Sequence, residues 1–202
     1  MSRNGRHLEL DSYREDFRSH FWKSGTEGFW KLERQQHFQE PGVESWEAFR
    51  LGDWDRAVEL IEEKRGHFQE YFDRIARHGF TVHRVRCVEE PISAYLQWEL
   101  HWLNLKNQCG EDTTVLTGGK LRHYESEGPL REVVVLGSRV MYEIVYDDLG
   151  RLAGGVRFGD AREIAEQRLS IQEMHGAGEP LGEFFDRCVA PLPPPEPFTG
   201  GS

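Results

Sequence analysis

Short stretches of alternating apolar and polar residues are separated along the chain by turns rich in glycine, proline and aspartate. Alternation with a period of two is typical of strands, and apolar residues spaced by three and four are typical of helices. The alternation predicts strands over residues 29–34, 81–88, 113–116, 132–136, 140–146 and 156–158. The helical spacing predicts helices over residues 12–22, 46–50, 54–78 (with a break at residue 66), 92–108, 161–175 and 180–188.

Polar residues near the starts of these helices favour capping. We expect Asp11 or Ser12 to cap the first helix, Ser45 the second, and Asp160 the helix over residues 161–175. Pro91 suits the first turn of the helix that follows it, because its missing N–H has no helical partner at that position. The polar, glycine-containing segment 117–129 is predicted to be a loop.

The order of these elements indicates the fold class. The last three strands are joined by turns at residues 137–138 and 147–150, which is the pattern of an antiparallel meander. We predict an α+β fold, or a mixed α/β fold, with one twisted, mostly antiparallel sheet, packed helices and an N-terminal helical layer. Residues 1–190 are expected to form a single globular domain, followed by a proline-rich tail over residues 191–202.

The composition fits a soluble domain with a large core. The chain has 202 residues, 38% of them hydrophobic, including twelve Phe, six Tyr and six Trp. The net charge of −10 repels nucleic acid and anionic membranes, so neither is an expected direct partner. The longest apolar run, residues 133–136, is far shorter than the roughly 20 residues that a membrane span needs. Three separated cysteines form no paired motif, and we expect a cytoplasmic protein with reduced thiols.

The helix predicted over residues 92–108 places a carboxylate among apolar side chains. At about 100° per residue, Glu99 falls inside the apolar arc that contains Tyr95, Trp98 and Trp102. Burial of this carboxylate without a partner costs several kcal/mol, so it needs a cation. The opposite face is predicted to be polar and contains Ser93, Gln97, His101, Asn104 and Gln108.

Two arginines are the nearest cations by chain order. Arg84 and Arg86 share one face of the strand that leads into this helix, and Lys106 is a further candidate partner. One interpretation is a structural ion pair that fixes the helix on the sheet. The other is a pocket for a small ligand with a carboxylate or phosphate group. The residues assigned to ligand binding in this second interpretation are Arg84, Arg86, Tyr95, Trp98, Glu99 and Trp102.

Other chemistry has little support in the sequence. Nine histidines are present, but no HxxxH or HExxH motif occurs, so no metal site is predicted. The sequence also lacks a complete phosphate-binding loop and a GxSxG nucleophile motif, and no cofactor is expected.

Several segments resemble a known family. Residues 29–33, Arg84-Val85-Arg86, and residues 90–99 and 110–112 resemble an actinobacterial family of domains of unknown function. Its members are often encoded beside XRE-type helix-turn-helix regulators and small partner proteins. The resemblance extends over roughly residues 8–190 and carries no established site residues. Residues 140–158 and the following helix also resemble the closing part of phospholipase-D-like domains, whose HxK motif is missing here, and this implies a degenerate domain kept for binding.

Two functions are therefore expected. The first is a regulatory accessory protein that binds a partner regulator, such as a helix-turn-helix protein or a small partner protein, together with a small anionic effector. The alternative is a small-molecule tailoring enzyme, a transferase or hydrolase, in which Glu99 or Tyr95 acts as acid or base and the arginines hold the substrate.

Overall fold

One mixed sheet organises the protein. The computed structural model describes residues 5–126 and 128–196, so the predicted ends of the domain and tail, residues 1–4 and 197–202, lie outside the described residues. The described strands are β1 (Arg6–Glu9), β2 (Phe29–Glu33), β3 (Val82–Val88), β4 (Asp112–Thr117), β5 (Val133–Leu136), β6 (Val140–Tyr146), β7 (Leu152–Phe158) and β8 (Glu179–Pro180).

The strands lie in the order β1-β7-β6-β5-β2-β3-β4-β8. The pairs β2–β3 and β3–β4 are parallel, whereas the other five pairs are antiparallel. The predicted α+β fold with a mostly antiparallel sheet is therefore confirmed. The parallel strands lie together on one side of the sheet, next to the antiparallel meander β5–β7.

Helices cover both faces of the sheet. They are α1 (Leu10–Phe21), α2 (Glu44–Arg50), α3 (Trp54–Glu62), α4 (Arg65–Arg77), α5 (Ala94–Cys109), α6 (Gly118–Tyr124), α7 (Ala161–Ala177) and α8 (Leu181–Phe184), which continues into a π-helical turn, Phe185–Val189. Side chains of α1 to α5 pack against one face of the sheet and form one hydrophobic core with it. Side chains of α6 and α7 form a second core on the opposite face.

Several helix starts differ from the predicted ones. α1 begins at Leu10, directly after β1, so Asp11 and Ser12 lie inside its first turn and do not cap it. Likewise α2 begins after Val43, which leaves Ser45 inside the helix. In both places the chain enters the helix from an extended residue whose side chain makes no cap. The predicted cap at Asp160 is confirmed, because its side chain accepts a hydrogen bond from the Glu163 N–H.

The region around α5 also departs from the prediction. Ser93 caps this helix by accepting a hydrogen bond from the Leu96 N–H, so Pro91 precedes the helix rather than occupying its first turn. The face predicted to be polar is buried only in part: Gln97 and Asn104 are buried, whereas Ser93 and Gln108 are exposed. Gln97 Nε2 donates to the carbonyl of Pro193 at 2.9 Å, so the start of the predicted tail contacts the domain.

Three other elements were not predicted. Segment 117–129 contains α6, because burial of Leu121 in the second core outweighs the unfavourable helix propensity of two neighbouring glycines. β1 and β8 are edge strands of four and two residues, too short to show a period. The helix predicted over residues 54–78 is divided after Glu62, four residues before the predicted break at Gly66.

The helix caps give a first test. Ser93→Ala and Asp160→Ala should each lower the free energy of unfolding by about 1 kcal/mol, because each removes a side-chain acceptor at a helix start. Ser12→Ala is the matched control, since Ser12 is exposed inside α1, where alanine is the better helix former. Urea unfolding measures all three variants. A loss in Ser12→Ala as large as in Asp160→Ala would contradict these helix starts.

Candidate functional site

The central strand β3 divides its side chains between the two faces of the sheet. Val88 belongs to the core under α1 to α5, whereas Val85 and Cys87 belong to the core under α6 and α7. Arg84 and Arg86 share the face of Val88, because side chains two residues apart point the same way. The predicted alternation is confirmed, and it directs both guanidinium groups toward α5.

The neighbouring strand β2 adds two more charged residues to this face. The parallel register places Lys31 beside Arg84 and Glu33 beside Arg86. The Glu33 carboxylate accepts hydrogen bonds from Lys31 and Arg84, and Arg84 also donates through Nε to Glu111. Arg84, Glu33 and Glu111 are all buried. The Arg84 charge is therefore balanced by two carboxylates of the protein itself.

Arg86 connects the sheet to α5. Its Nε and Nη2 atoms donate to Glu99 Oε2 at 2.9 and 2.6 Å. Its Nη1 donates to the carbonyl oxygens of Glu33 and Cys87 at 3.2 and 3.0 Å. Arg86 is 0% exposed, and all three of its side-chain nitrogens donate hydrogen bonds within the protein. The structural ion pair that was one interpretation of the sequence is thus present, with Arg86 as the partner of Glu99.

A cavity of about 280 Å³ lies between this face of the sheet and α5. Its volume approaches the lower end of the range typical of small-molecule sites, about 300–1,000 Å³. The structure brings four of the six residues assigned to ligand binding into its wall. Arg86 and Tyr95 do not line it and are almost completely buried. The four in the wall are Arg84, Trp98, Glu99 and Trp102.

Two further cavities share walls with the first. They measure about 290 and 250 Å³, and Arg84 lines all three. The larger one shares Lys31, Glu33 and Glu40 with the first cavity, and the smaller one shares Lys106. The ion-paired centre of the sheet therefore lies where three cavities meet.

Lys106 is the cation in this wall with no anion bonded to it. Its ammonium lies 5.7 Å from the ring centre of Phe68 and 6.0 Å from that of Trp102. It donates no hydrogen bond to another residue in the described part of the chain. Burial lowers the pKa of Lys106 below its ordinary value, and the positive charges of Arg84 and Lys31 act in the same direction, whereas the negative charges of Glu111 and Glu33 oppose the shift. A bound anion would give this ammonium the direct hydrogen-bonding partner that the described residues do not supply.

Three other polar groups at or beside the cavity lack hydrogen bonds within the described residues. Burial raises the pKa of Glu40, whose carboxylate faces the first cavity. The Trp98 Nε1–H and the Tyr95 hydroxyl are buried and unpartnered. Burial, reinforced by the charge of Glu99, raises the pKa of Tyr95 well above its ordinary value, so this phenol stays protonated at neutral pH. Tyr95 is therefore unsuited to act as a base.

Part of this site was not identified from the sequence. Lys31 and Glu33 could have been found, because alternation along β2 places them on one face with Phe29. Glu40 lies in an irregular segment after β2, and Glu111 lies in one directly before β4. Such segments have no period that predicts which way a side chain points.

The opposite face of the sheet brings together three residues with metal-binding side chains. His83, Asp112 and His175 each offer a ligand atom, and these atoms lie within 4.8 Å of one another. The sequence predicts no metal site because these residues are separated by 29 and 63 positions and form no local motif.

The buried carboxylate of Glu33 should make stability depend on pH. Burial by itself raises the pKa of Glu33, but the positive charges of Arg84, Lys31 and Arg86 outweigh it and hold the pKa well below its ordinary value of 4.5. A carboxyl with a lowered folded-state pKa stabilises the protein above its unfolded pKa, and this stabilisation is lost as the pH falls through the folded pKa. We expect the free energy of unfolding in urea to decrease below about pH 4.5.

Glu33→Gln provides the comparison, because other carboxylates also titrate in this range. The variant should lose less stability than the parent between neutral and acidic pH, since its side chain at position 33 cannot bind the additional proton. Equal pH slopes for the two proteins would contradict the assignment to Glu33.

Comparison with known proteins identifies the family of this chain. No helix in the described residues has both the length and the apolar character needed to cross a membrane. No curated protein matches the chain. The family model of a domain of unknown function, DUF6879, matches residues 15–186, which contain every element of the site described above. The chain therefore belongs to the DUF6879 family.

Proposed function

We propose that the protein binds a small aromatic compound with an anionic group in the cavity beneath α5. The observation that carries this proposal is the Lys106 ammonium, which faces the cavity between aromatic rings without a hydrogen-bonding partner in the described residues. A half-buried cation of this kind gains a charge-assisted hydrogen bond from an entering carboxylate or phosphate.

The chemistry of the remaining wall supports an aromatic ligand. Trp98 and Trp102 lie in the wall with ring centres 6.4 Å apart and planes 23° apart, so they offer flat apolar surface. Arg84 and Arg86 are weaker candidates for binding the anion than the sequence suggests. Their charges are already neutralised by Glu33, Glu111 and Glu99. Lys106 replaces them as the group that we assign to the anion.

A set of probes with one ring and different charges tests this proposal. 3-Phenylpropionate carries an anion, phenethylamine a cation, and phenylalanine both. We expect isothermal titration calorimetry to detect 3-phenylpropionate binding, with phenethylamine much weaker because it would place a second cation beside Lys106. The affinity for phenylalanine, compared with that for 3-phenylpropionate, measures the contribution of Glu40, because the Glu40 carboxylate can accept a hydrogen bond from the phenylalanine ammonium.

Lys106→Met is the decisive variant. It keeps the length and apolar contacts of the side chain but removes the charge, so we expect unchanged or slightly higher stability and at least a tenfold, about 1.4 kcal/mol, loss of 3-phenylpropionate affinity. Lys64→Met is the matched control, because Lys64 is outside the walls of the three cavities and its ion pair is largely exposed. Equal affinities of the two variants would contradict the role of Lys106.

We also propose the regulatory role that the sequence resemblance implies. In that role the occupied cavity changes the affinity for a partner regulator, such as a helix-turn-helix protein or a small partner protein. Residence in the cytoplasm and the actinobacterial gene context belong to the same prediction. Mixing the purified protein with such a regulator from its own gene neighbourhood, with and without 3-phenylpropionate, tests it by analytical ultracentrifugation. An absence of any complex under both conditions would contradict this role.

A tailoring enzyme is the second proposal, and one observation favours it. Glu40 has a raised pKa, Lys106 has a lowered one, and both face the same cavity, as is typical of acid and base pairs. These two residues suit proton transfer better than Glu99, which is bound by Arg86, or the protonated Tyr95. Loss of turnover in Glu40→Gln with the fold intact would support an enzyme. A degenerate phospholipase-D-like origin of the C-terminal half stays a prediction.

A further inference from the structure

Strand register brings a histidine and an aspartate together on the face opposite the cavity. His83 in β3 and Asp112 at the start of β4 are directly paired across parallel strands. The helix α7 packs over this part of the sheet, and its last turn adds His175. Two imidazoles and a carboxylate therefore converge from three elements that are distant in the sequence.

One of the two distances within this cluster matches the separation of ligands around a small cation, and the other is a hydrogen bond that must lengthen by about 0.5 Å. His83 Nδ1 lies 2.9 Å from Asp112 Oδ2, and His175 Nε2 lies 3.4 Å from Asp112 Oδ1. Bonds of about 2.0–2.2 Å to a tetrahedral Zn²⁺ place neighbouring ligand atoms roughly 3.3–3.5 Å apart. The three ligand atoms already lie within 4.8 Å of one another, so adjustments of the side chains suffice to surround an ion.

A tryptophan holds the two imidazoles in place. The Trp30 ring stacks on His83 with centres 3.9 Å and planes 10° apart, and it meets His175 edge to face at 5.6 Å. Trp30 is itself fixed by a hydrogen bond from Nε1 to the carbonyl of Glu27 at 2.9 Å. Groups behind the ligands orient them and raise the affinity of metal sites.

We propose that His83, Asp112 and His175 bind a divalent transition-metal ion, with Zn²⁺ as the best match to the donor set. Imidazole and carboxylate are ligands that Zn²⁺ accepts in proteins, and three protein ligands leave a fourth position for water or another molecule. Asp112 is half exposed, with 52% of its side-chain surface accessible, so the ion can enter from solvent. The site is independent of the proposed ligand cavity, which lies on the other face of the sheet.

Zinc titration of the complete chain, prepared without a histidine tag and stripped with EDTA, tests this proposal. We expect isothermal titration calorimetry to detect one Zn²⁺ per chain and thermal unfolding to shift upward with the metal. Asp112→Asn and His175→Gln should each weaken binding at least tenfold. His123→Gln is the matched control, because His123 is exposed and lies outside the cluster, and it should bind as the parent does.

Two results would overturn the metal site. The first is an absence of Zn²⁺ binding by the parent protein, which would leave the three residues as a hydrogen-bonded cluster only. The second is parent-like affinity in both Asp112→Asn and His175→Gln, which would place any bound zinc elsewhere. If His175→Gln is unstable, Asp112→Asn still tests the site, because a half-exposed aspartate contributes little to the free energy of unfolding. Circular dichroism confirms that each variant is folded before titration.

Discussion

Replacing Arg86 by methionine should destabilise the protein by about 3–5 kcal/mol, because it leaves the Glu99 carboxylate buried without its cation. The change also removes the hydrogen bonds that Arg86 donates to the carbonyl oxygens of Glu33 and Cys87. Burial already raises the pKa of Glu99 despite the Arg86 bonds. We therefore expect the loss to be smaller at acidic pH, where Glu99 in the variant can take up a proton.

A double variant separates the cost of an unpaired charge from the value of the pair. Arg86→Met combined with Glu99→Leu should recover much of the lost stability, because apolar replacements of similar size remove both buried charges. Arg162→Met is the matched control, since its ion pair with Glu166 is exposed, and it should lose at most about 1 kcal/mol. Urea unfolding gives all four values. If the double variant is no more stable than Arg86→Met, the unpaired carboxylate is not the cause.

Trp46→Ala should cost about 3–5 kcal/mol and also weaken ligand binding in the cavity. Trp46 is 1% exposed, and its ring centre lies 5.2 Å from Trp98, 5.3 Å from Phe49 and 5.5 Å from Tyr95. It is outside the cavity wall but supports Trp98, which is in it. Removal of the indole leaves space into which Trp98 can move, so the aromatic wall loses its fixed position.

Leu51→Ala is the control for this truncation. Leu51 follows the same helix α2 but is 79% exposed, so its replacement should change stability by no more than about 0.5 kcal/mol. Urea unfolding measures the stability of both variants, and calorimetry with 3-phenylpropionate measures the affinity under conditions where each is folded. Parent-like affinity in folded Trp46→Ala would contradict a supporting role for Trp46.

The fold could be predicted where a segment had a clear period. Alternation in β3 gave both its position and the face of Arg84 and Arg86, and it also separated Val85 and Cys87 onto the other face. Prediction from periodicity failed for β1, β8 and α6. The two strands are too short to show a period, and α6 is stabilised by tertiary burial of Leu121. The predicted starts of α1 and α2 were wrong, because polar residues inside a helix cannot be distinguished from capping residues by sequence alone.

The site could be predicted only where one element carried the signal. Glu99 within the apolar arc of α5 indicated a buried charge, and the nearby arginines indicated its partner. The sequence could not assign Arg86 rather than Arg84, because that choice depends on Glu33 and Glu111, which arrive from other segments. The His83, Asp112 and His175 cluster depends on register and helix packing, neither of which has a local pattern.

Native mass spectrometry of the protein, isolated gently from its own host, tests ligand binding in the cavity most directly, because it requires no prior choice of ligand. The parent chain should carry the additional mass of a small organic compound that dissociates on denaturation. The same compound should be present with Lys64→Met and lost with Lys106→Met. Retention of that compound by folded Lys106→Met, or bare chains in all three samples, would contradict anion binding at Lys106.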